Sequence, residues 1–148
     1  MGLFNRKKAV TLPPVCMLNI RGMEYCTKDI EAIGTPLKGY NLSPEQMAKH
    51  PFKDYYKLWF NCDNVQLIPE PTNKADKNAI MVVVDGKRIG YVPAESTAAV
   101  RQYMALPHTI AVNIYGGYFK TWVPNEVVSS FKPYSGELVI RLIDTTYN

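Results

Sequence analysis

Residues 67–104, LIPEPTNKADKNAIMVVVDGKRIGYVPAESTAAVRQYM, constrain the fold more than any other stretch of this chain. Residues 79–84 (AIMVVV) are a short apolar run rich in β-branched side chains. Such a run predicts a strand buried on both faces. Asp85-Gly86 follows, a dipeptide suited to the positive φ angles of a tight hairpin turn. Residues 88–92 (RIGYV) then pair back as a second strand, and Pro93 ends it because proline has no N–H to give a ladder. From Glu95 the pattern becomes helical. Ala98, Ala99, Val100, Tyr103 and Met104 have amphipathic spacing, so the helix is expected to lie on the hairpin through them and to stop at Pro107. The polar loop at 69–78 enters the first strand and is the candidate functional element.

The length of 148 residues predicts a basic N-terminal arm at 1–14 followed by a single domain at 15–148. With 47% hydrophobic residues the chain can bury a core, yet no apolar run approaches the ~20 residues that span a bilayer. The start, MGLFNRKKAV, lacks the apolar stretch of a signal peptide, and Arg6 breaks the myristoylation pattern. A cytoplasmic protein without a membrane partner is expected. Cys16, Cys26 and Cys62 lack the paired spacing of a metal site and are expected to be reduced thiols in or near the core. His50 and His108 each adjoin a proline and have no ligand-spaced partner, so no metal is expected. There is no Gly-rich phosphate loop, nucleophile motif or histidine pair, and neither an enzyme nor a cofactor is expected. Two carboxylates in one loop, Glu70 and Asp76, are a weak signal for a divalent metal. The net charge of +4 permits a polyanionic partner without demanding one.

In the arm, Arg6, Lys7 and Lys8 cluster ahead of Pro13-Pro14; the arm is expected to be solvated, with phosphate attraction as the sharper reading. Residues 15–20 (VCMLNI) predict the first strand, with Arg21-Gly22 as a bulge and residues 23–26 as its continuation. Residues 28–64 separate this strand from the 67–104 unit and are expected to be partly helical. Ser43 is placed to N-cap a short helix with Pro44 at its first position. Residues 54–60 (DYYKLWF) are too apolar to be left in water. Tyr55, Tyr56 and Trp59 there are either packing surface, in the core or against a second copy, or a stacking platform for bases. Residues 64–68 predict a strand, and residues 109–115 another. Gly116-Gly117 reads as a turn, with residues 118–123 as the returning strand, residues 125–131 as a short helix or loop, and residues 137–143 (ELVIRLI) as a final strand. In the loop, Asp76 and Asn78 are turn-forming residues that can bond backbone N–H groups.

The loop and hairpin together resemble the HIRAN domain. The resemblance lies in N-x-x-D-x-N-A-I (Asn73 to Ile80), in Ile89-Gly90-Tyr91, in the helix that follows and in Glu70-Pro71. Gly22-Met23-Glu24-Tyr25 is similar to the family's first-strand G-x-x-Y. The resemblance implies a mainly β fold with minor α: a small HIRAN/OB-like β-barrel with one main helix at about 95–105. It implies that Tyr25 and Phe119 stack on bases, that Asp76 accepts a hydrogen bond from a free 3′-hydroxyl, that Lys74, Lys77 and Tyr91 contact phosphates with Asn78 also in the DNA-binding set, and that residues 28–64 are an insertion into the domain. An ionised carboxylate suits a hydroxyl and repels a terminal phosphate. Three positions depart from the pattern: Glu24 replaces a basic residue, Ala75 replaces an aromatic, and Tyr91 replaces a histidine.

The expectation is therefore a non-catalytic module for single-stranded DNA with a preference for a free 3′ end, as in DNA repair. Any helicase or nuclease partner is expected to be a separate chain. The alternative is a protein-interaction or homodimerising module that uses the aromatic segment 52–60.

Overall fold

Residues 80–91 fold as the hairpin their sequence specifies, in a computed structural model that describes residues 12–144. Arg6, Lys7 and Lys8 of the arm lie outside the described residues. The elements run β1 (Val15–Asn19), α1 (Thr27–Ile33), β2 (Thr35–Pro36), α2 (Pro44–Met47), β3 (Asp54–Tyr56) and β4 (Leu58–Trp59). They continue as β5 (Val65–Pro69), β6 (Ile80–Val84), β7 (Lys87–Tyr91), α3 (Thr97–Met104), β8 (His108–Val123) and β9 (Glu126–Leu142). Asp85 and Gly86 turn the β6–β7 hairpin with φ of 49° and 78°, the sign a two-residue primed turn requires at both positions. β6 is the middle strand of the sheet β5-β6-β7, and four of its five residues are buried. That is why its sequence is continuously apolar rather than alternating.

The chain is mainly β, as expected, but its strands form three separate sheets rather than a closed barrel. A four-stranded antiparallel sheet has the order β1-β9-β8-β3, and β2 pairs with β4 in a small third sheet. The core lies between the two larger sheets. Leu67, Ile80, Val82, Val84 and Ile89 come from one, and Val112, Leu138 and Ile140 from the other. Cys26 is buried in this core, Cys16 and Cys62 are half-buried against it, and all three are free thiols.

Four local expectations are corrected. Residues 23–26 do not continue β1: Gly22 takes φ 77° and residues 23–25 form a single 3-10 turn, closed by Tyr25 N–H to Gly22 O. The helix packs through Thr97, Val100 and Tyr103, while Ala98 and Ala99 face solvent. Its buried stripe begins one residue earlier than the alanines suggest, because Thr97 turns its hydroxyl back to Ala94 O. Gly116-Gly117 is not a hairpin turn. β8 runs through it as one 16-residue strand with a bulge, and the chain reverses at Pro124-Asn125. Both glycines have φ near +100°, and a Cβ at either would collide with the Pro133 carbonyl or the Tyr134 ring. A bulge pressed on its neighbour strand demands glycine as strictly as a turn does. Finally, residues 126–131 are strand, paired to residues 118–123.

Within residues 28–64, Ser43 N-caps α2 through a reciprocal bond pattern with Gln46, and Pro44 opens the helix. β3 extends the large sheet along the distal half of β8. Tyr55 is buried there, so it is packing surface and not part of a stacking platform.

Candidate functional site

A close backbone approach brings three distant segments together. Arg21 N–H bonds Tyr91 O at 2.8 Å and Tyr91 N–H returns to Arg21 O at 2.8 Å, which ties the end of β1 to the end of β7. Gly90 makes the approach possible. A Cβ at this position would lie 2.5 Å from Ile20 Cγ2 and 2.6 Å from the Arg21 carbonyl oxygen. The middle residue of Ile89-Gly90-Tyr91 is thus a spacing requirement. Beyond the joint, the left-handed Gly22 and the 3-10 turn drop Met23 into the core and project Tyr25 outward, where it is 84% exposed. An aromatic ring held this far into solvent contributes little to folding, so it is a candidate for contact with a ligand.

The result is an open cleft of about 420 Å3. It is lined by Arg21 and Tyr25 from the chain just after β1, by Asn73, Ala75 and Asp76 from the loop, and by Tyr91 and Glu95. The loop wall is built before any ligand arrives. Asn73 Oδ1 accepts from the N–H groups of Ala75 (2.9 Å) and Asp76 (3.0 Å), while its Nδ2 donates to Glu70 Oε1 at 2.7 Å. Tyr91 donates its hydroxyl to the same Glu70 oxygen at 3.0 Å and accepts from Arg88 at 3.1 Å. Arg88 also lies over the Tyr91 ring. Hydrogen bonds to Tyr91 and Cys26 push the Arg88 guanidinium above its ordinary pKa. Arg101 of α3 holds the end of the loop by donating to Asn78 O at 3.1 Å.

Asp76 has two jobs. Its Oδ1 accepts the Asn78 N–H at 2.8 Å, the turn-forming role expected of aspartate here. Its Oδ2 has no donor among the described residues and is available as an acceptor on the half-buried loop wall. In the same cleft lining, Arg21 pairs with Glu95 at 3.0 Å. Both partners are about two-thirds exposed, and an exposed pair of this kind is worth only ~0–1 kcal/mol, so an incoming anion can take Arg21 at little cost.

The structure therefore gathers Tyr25, Asp76 and Tyr91 in one cleft. Lys74, Lys77 and Asn78 sit on the same loop, exposed at its rim. Phe119 is elsewhere: it lies on the distal half of β8, against the Tyr56 ring at 5.1 Å, and does not line the cleft. Residues 118–123 continue β8 past the Gly116-Gly117 bulge rather than returning beside it, which carries Phe119 away from the cleft. Tyr91 lines the cleft with its hydroxyl proton given to Glu70. The residues missed by sequence reasoning are Arg21 and Glu95. Arg21 lies in the stretch expected to bulge, and only the Gly90 joint reveals that its neighbourhood reaches the loop. Among the described residues no group of three His, Cys, Asp or Glu side chains is placed to hold a metal ion, and no helix is long and apolar enough to cross a membrane.

Residues 47–116 match the family model of the HIRAN domain. No curated protein and no solved structure matches the chain.

Proposed function

The chain is a HIRAN-domain protein, a member of a family of DNA-binding modules, and from that premise we propose that its cleft binds the free 3′ end of single-stranded DNA. The observation that carries the reading is the convergence of Tyr25, Asp76 and Tyr91, from segments far apart in sequence, on one open cleft. Tyr25 offers an exposed ring for a base, a contact worth ~1–3 kcal/mol. Asp76 Oδ2 accepts from the terminal hydroxyl and repels a terminal phosphate. Arg21 exchanges Glu95 for an internucleotide phosphate and supplies, from three residues upstream, the positive charge that Glu24 does not. Lys74 and Lys77 add screened attraction at the rim. Tyr91 acts by holding Glu70 and lending its ring, since its hydroxyl proton is spent. The HIRAN domain is itself non-catalytic, so this reading assigns the cleft binding and no chemistry.

The test is fluorescence anisotropy on a labelled single strand ending in a 3′-hydroxyl, the same strand ending in a 3′-phosphate, and a blunt duplex, at two salt concentrations. The free hydroxyl should bind best. Asp76→Ala should erase most of that preference, about 10- to 100-fold for a hydrogen bond to a charged acceptor, and retain salt-sensitive general affinity. An end preference unchanged in Asp76→Ala would sink the assignment.

A further inference from the structure

We infer that a second surface, the aromatic groove between β4 and the centre of β8, stacks the bases of single-stranded nucleic acid independently of any strand end. The groove has a volume of about 440 Å3 and is lined chiefly by Tyr56, Trp59, Phe60, Ile114, Tyr115 and Lys132. None of these residues lines the Tyr25–Asp76 cleft. Trp59 is 46% and Tyr115 55% exposed, and both sit on strands. Phe60 begins a row of rings that leads away from the groove. It meets Tyr134 edge-on at 5.9 Å, Tyr134 meets Phe131 at 5.7 Å, and Phe131 meets Tyr118 at 4.8 Å. Tyr118 and Phe131 are also partly open to solvent.

Charge decides the occupant. Lys132 lines the groove, Lys57 lies over the Tyr118 ring at 5.6 Å, and the groove lining contains no carboxylate. The nearby acid, Glu31, already accepts from the Tyr134 hydroxyl. A second copy of the chain docked here about a two-fold axis would set this lysine-bearing patch against itself. A single strand brings what the surface lacks, flat rings for Trp59 and Tyr115 and phosphates for the lysines. Strand-borne aromatics have little side-chain freedom left to lose, and stacking of this kind is tolerant of sequence.

The experiment titrates the full chain with a circular single strand, which has no 3′ end and so reads the groove separately from the cleft. Trp59 is one of two tryptophans, and a Trp122→Phe background leaves it as the sole reporter. Saturable quenching that weakens with salt is expected. Tyr115→Ala should weaken it by roughly 5- to 150-fold, the range that typical base–aromatic stacking implies. Lys132→Ala should reduce its salt dependence, and Asp76→Ala should leave it unchanged. No quenching at low salt would overturn the inference, even where a linear strand with a free 3′-hydroxyl binds. A Trp59 emission shift that follows protein concentration without nucleic acid would overturn it in favour of a second copy in the groove. Failure of the end preference on linear strands would refute only the cleft reading.

Discussion

Replacing Gly90 with alanine should damage stability and the cleft together, because one glycine carries the joint between β1 and β7. The new Cβ would sit 2.5 Å from Ile20 Cγ2, 2.6 Å from the Arg21 carbonyl oxygen and 3.2 Å from Met23 Cγ. Ile20 and Met23 are buried, and the Arg21 oxygen is backbone, so no flexible chain end can swing aside. Two responses are open. If the backbone holds, the overpacked site costs ~1–3 kcal/mol. If the strands part, the two 2.8 Å bonds between Arg21 and Tyr91 are lost, at ~0.5–1.5 kcal/mol each. The chain takes the cheaper route, so the expected loss is about 1–3 kcal/mol rather than the sum. Urea unfolding followed by far-ultraviolet circular dichroism measures it, with Lys87→Ala on the same strand as a surface control expected within ~0.5 kcal/mol of the parent. Relaxation through the second route also displaces Arg21, so the variant should lose 3′-end affinity in denaturant-free buffer where it is fully native. A Gly90→Ala variant as stable as the Lys87→Ala control would refute the close approach and the account of the cleft built on it.

Two more outcomes follow from side chains around the sheets. Glu70→Ala leaves the Tyr91 hydroxyl and Asn73 amide without their shared acceptor, so it should lose ~1.5–3 kcal/mol, with Glu70→Gln recovering part. Hydrogen exchange at the Ala75 and Asp76 amides, both bonded to Asn73, should speed up in the alanine variant, and unchanged protection there would count against a built loop. Burial first, then the charges of Asp85 and Asp63, push the Cys62 thiol up to about 11 from 9.0. Below pH 9 the thiol is protonated in folded and unfolded chains alike and contributes no pH dependence. Above pH 9 the unfolded chain gives up this proton first, so stability falls between pH 9 and about 11. Burial and Glu31 also raise the Tyr134 phenol, which extends the decline upward. Cys62→Ala should flatten the lower part of that curve, and an unaltered slope in urea titrations from pH 8 to 11 would remove Cys62 as its source.

The hairpin was legible because each local signal agreed with its neighbours. A continuous apolar run, Asp85-Gly86 and Pro93 leave little else for residues 79–93 to do. The long β8–β9 hairpin was misread for a reason that also concerns glycine. Gly116-Gly117 has the composition of a turn, and sequence alone does not separate φ near +100° in a bulge from positive φ in a turn. What separates them is the Pro133 carbonyl and the Tyr134 ring on the neighbouring strand, which are remote in sequence. The true turn, Pro124-Asn125, carries its own signal in proline followed by an asparagine that accepts φ 83°. A glycine pair outranked it only because glycine is the more familiar mark.

The same logic divides the cleft into a legible and an illegible part. Asp76 and Asn73 were legible because their bonds are local: an aspartate two residues before the amide it accepts from, and an asparagine two and three before its own partners. Arg21 was illegible because its place depends on a contact across 70 residues of sequence, made only where residue 90 has no side chain. Phe119 is the opposite case, a residue that lies outside the cleft. A matching residue type was carried to a position whose strand, once traced, points its ring at Tyr56. A resemblance transfers reliably where the local bonding pattern is itself the motif, as in Asn73 to Ile80. It transfers poorly where a role depends on loop lengths between distant strands. On that argument the distal aromatics of β8 have no inherited partner in the cleft. Their exposure beside Lys57 and Lys132 has to be explained by what this chain alone places there.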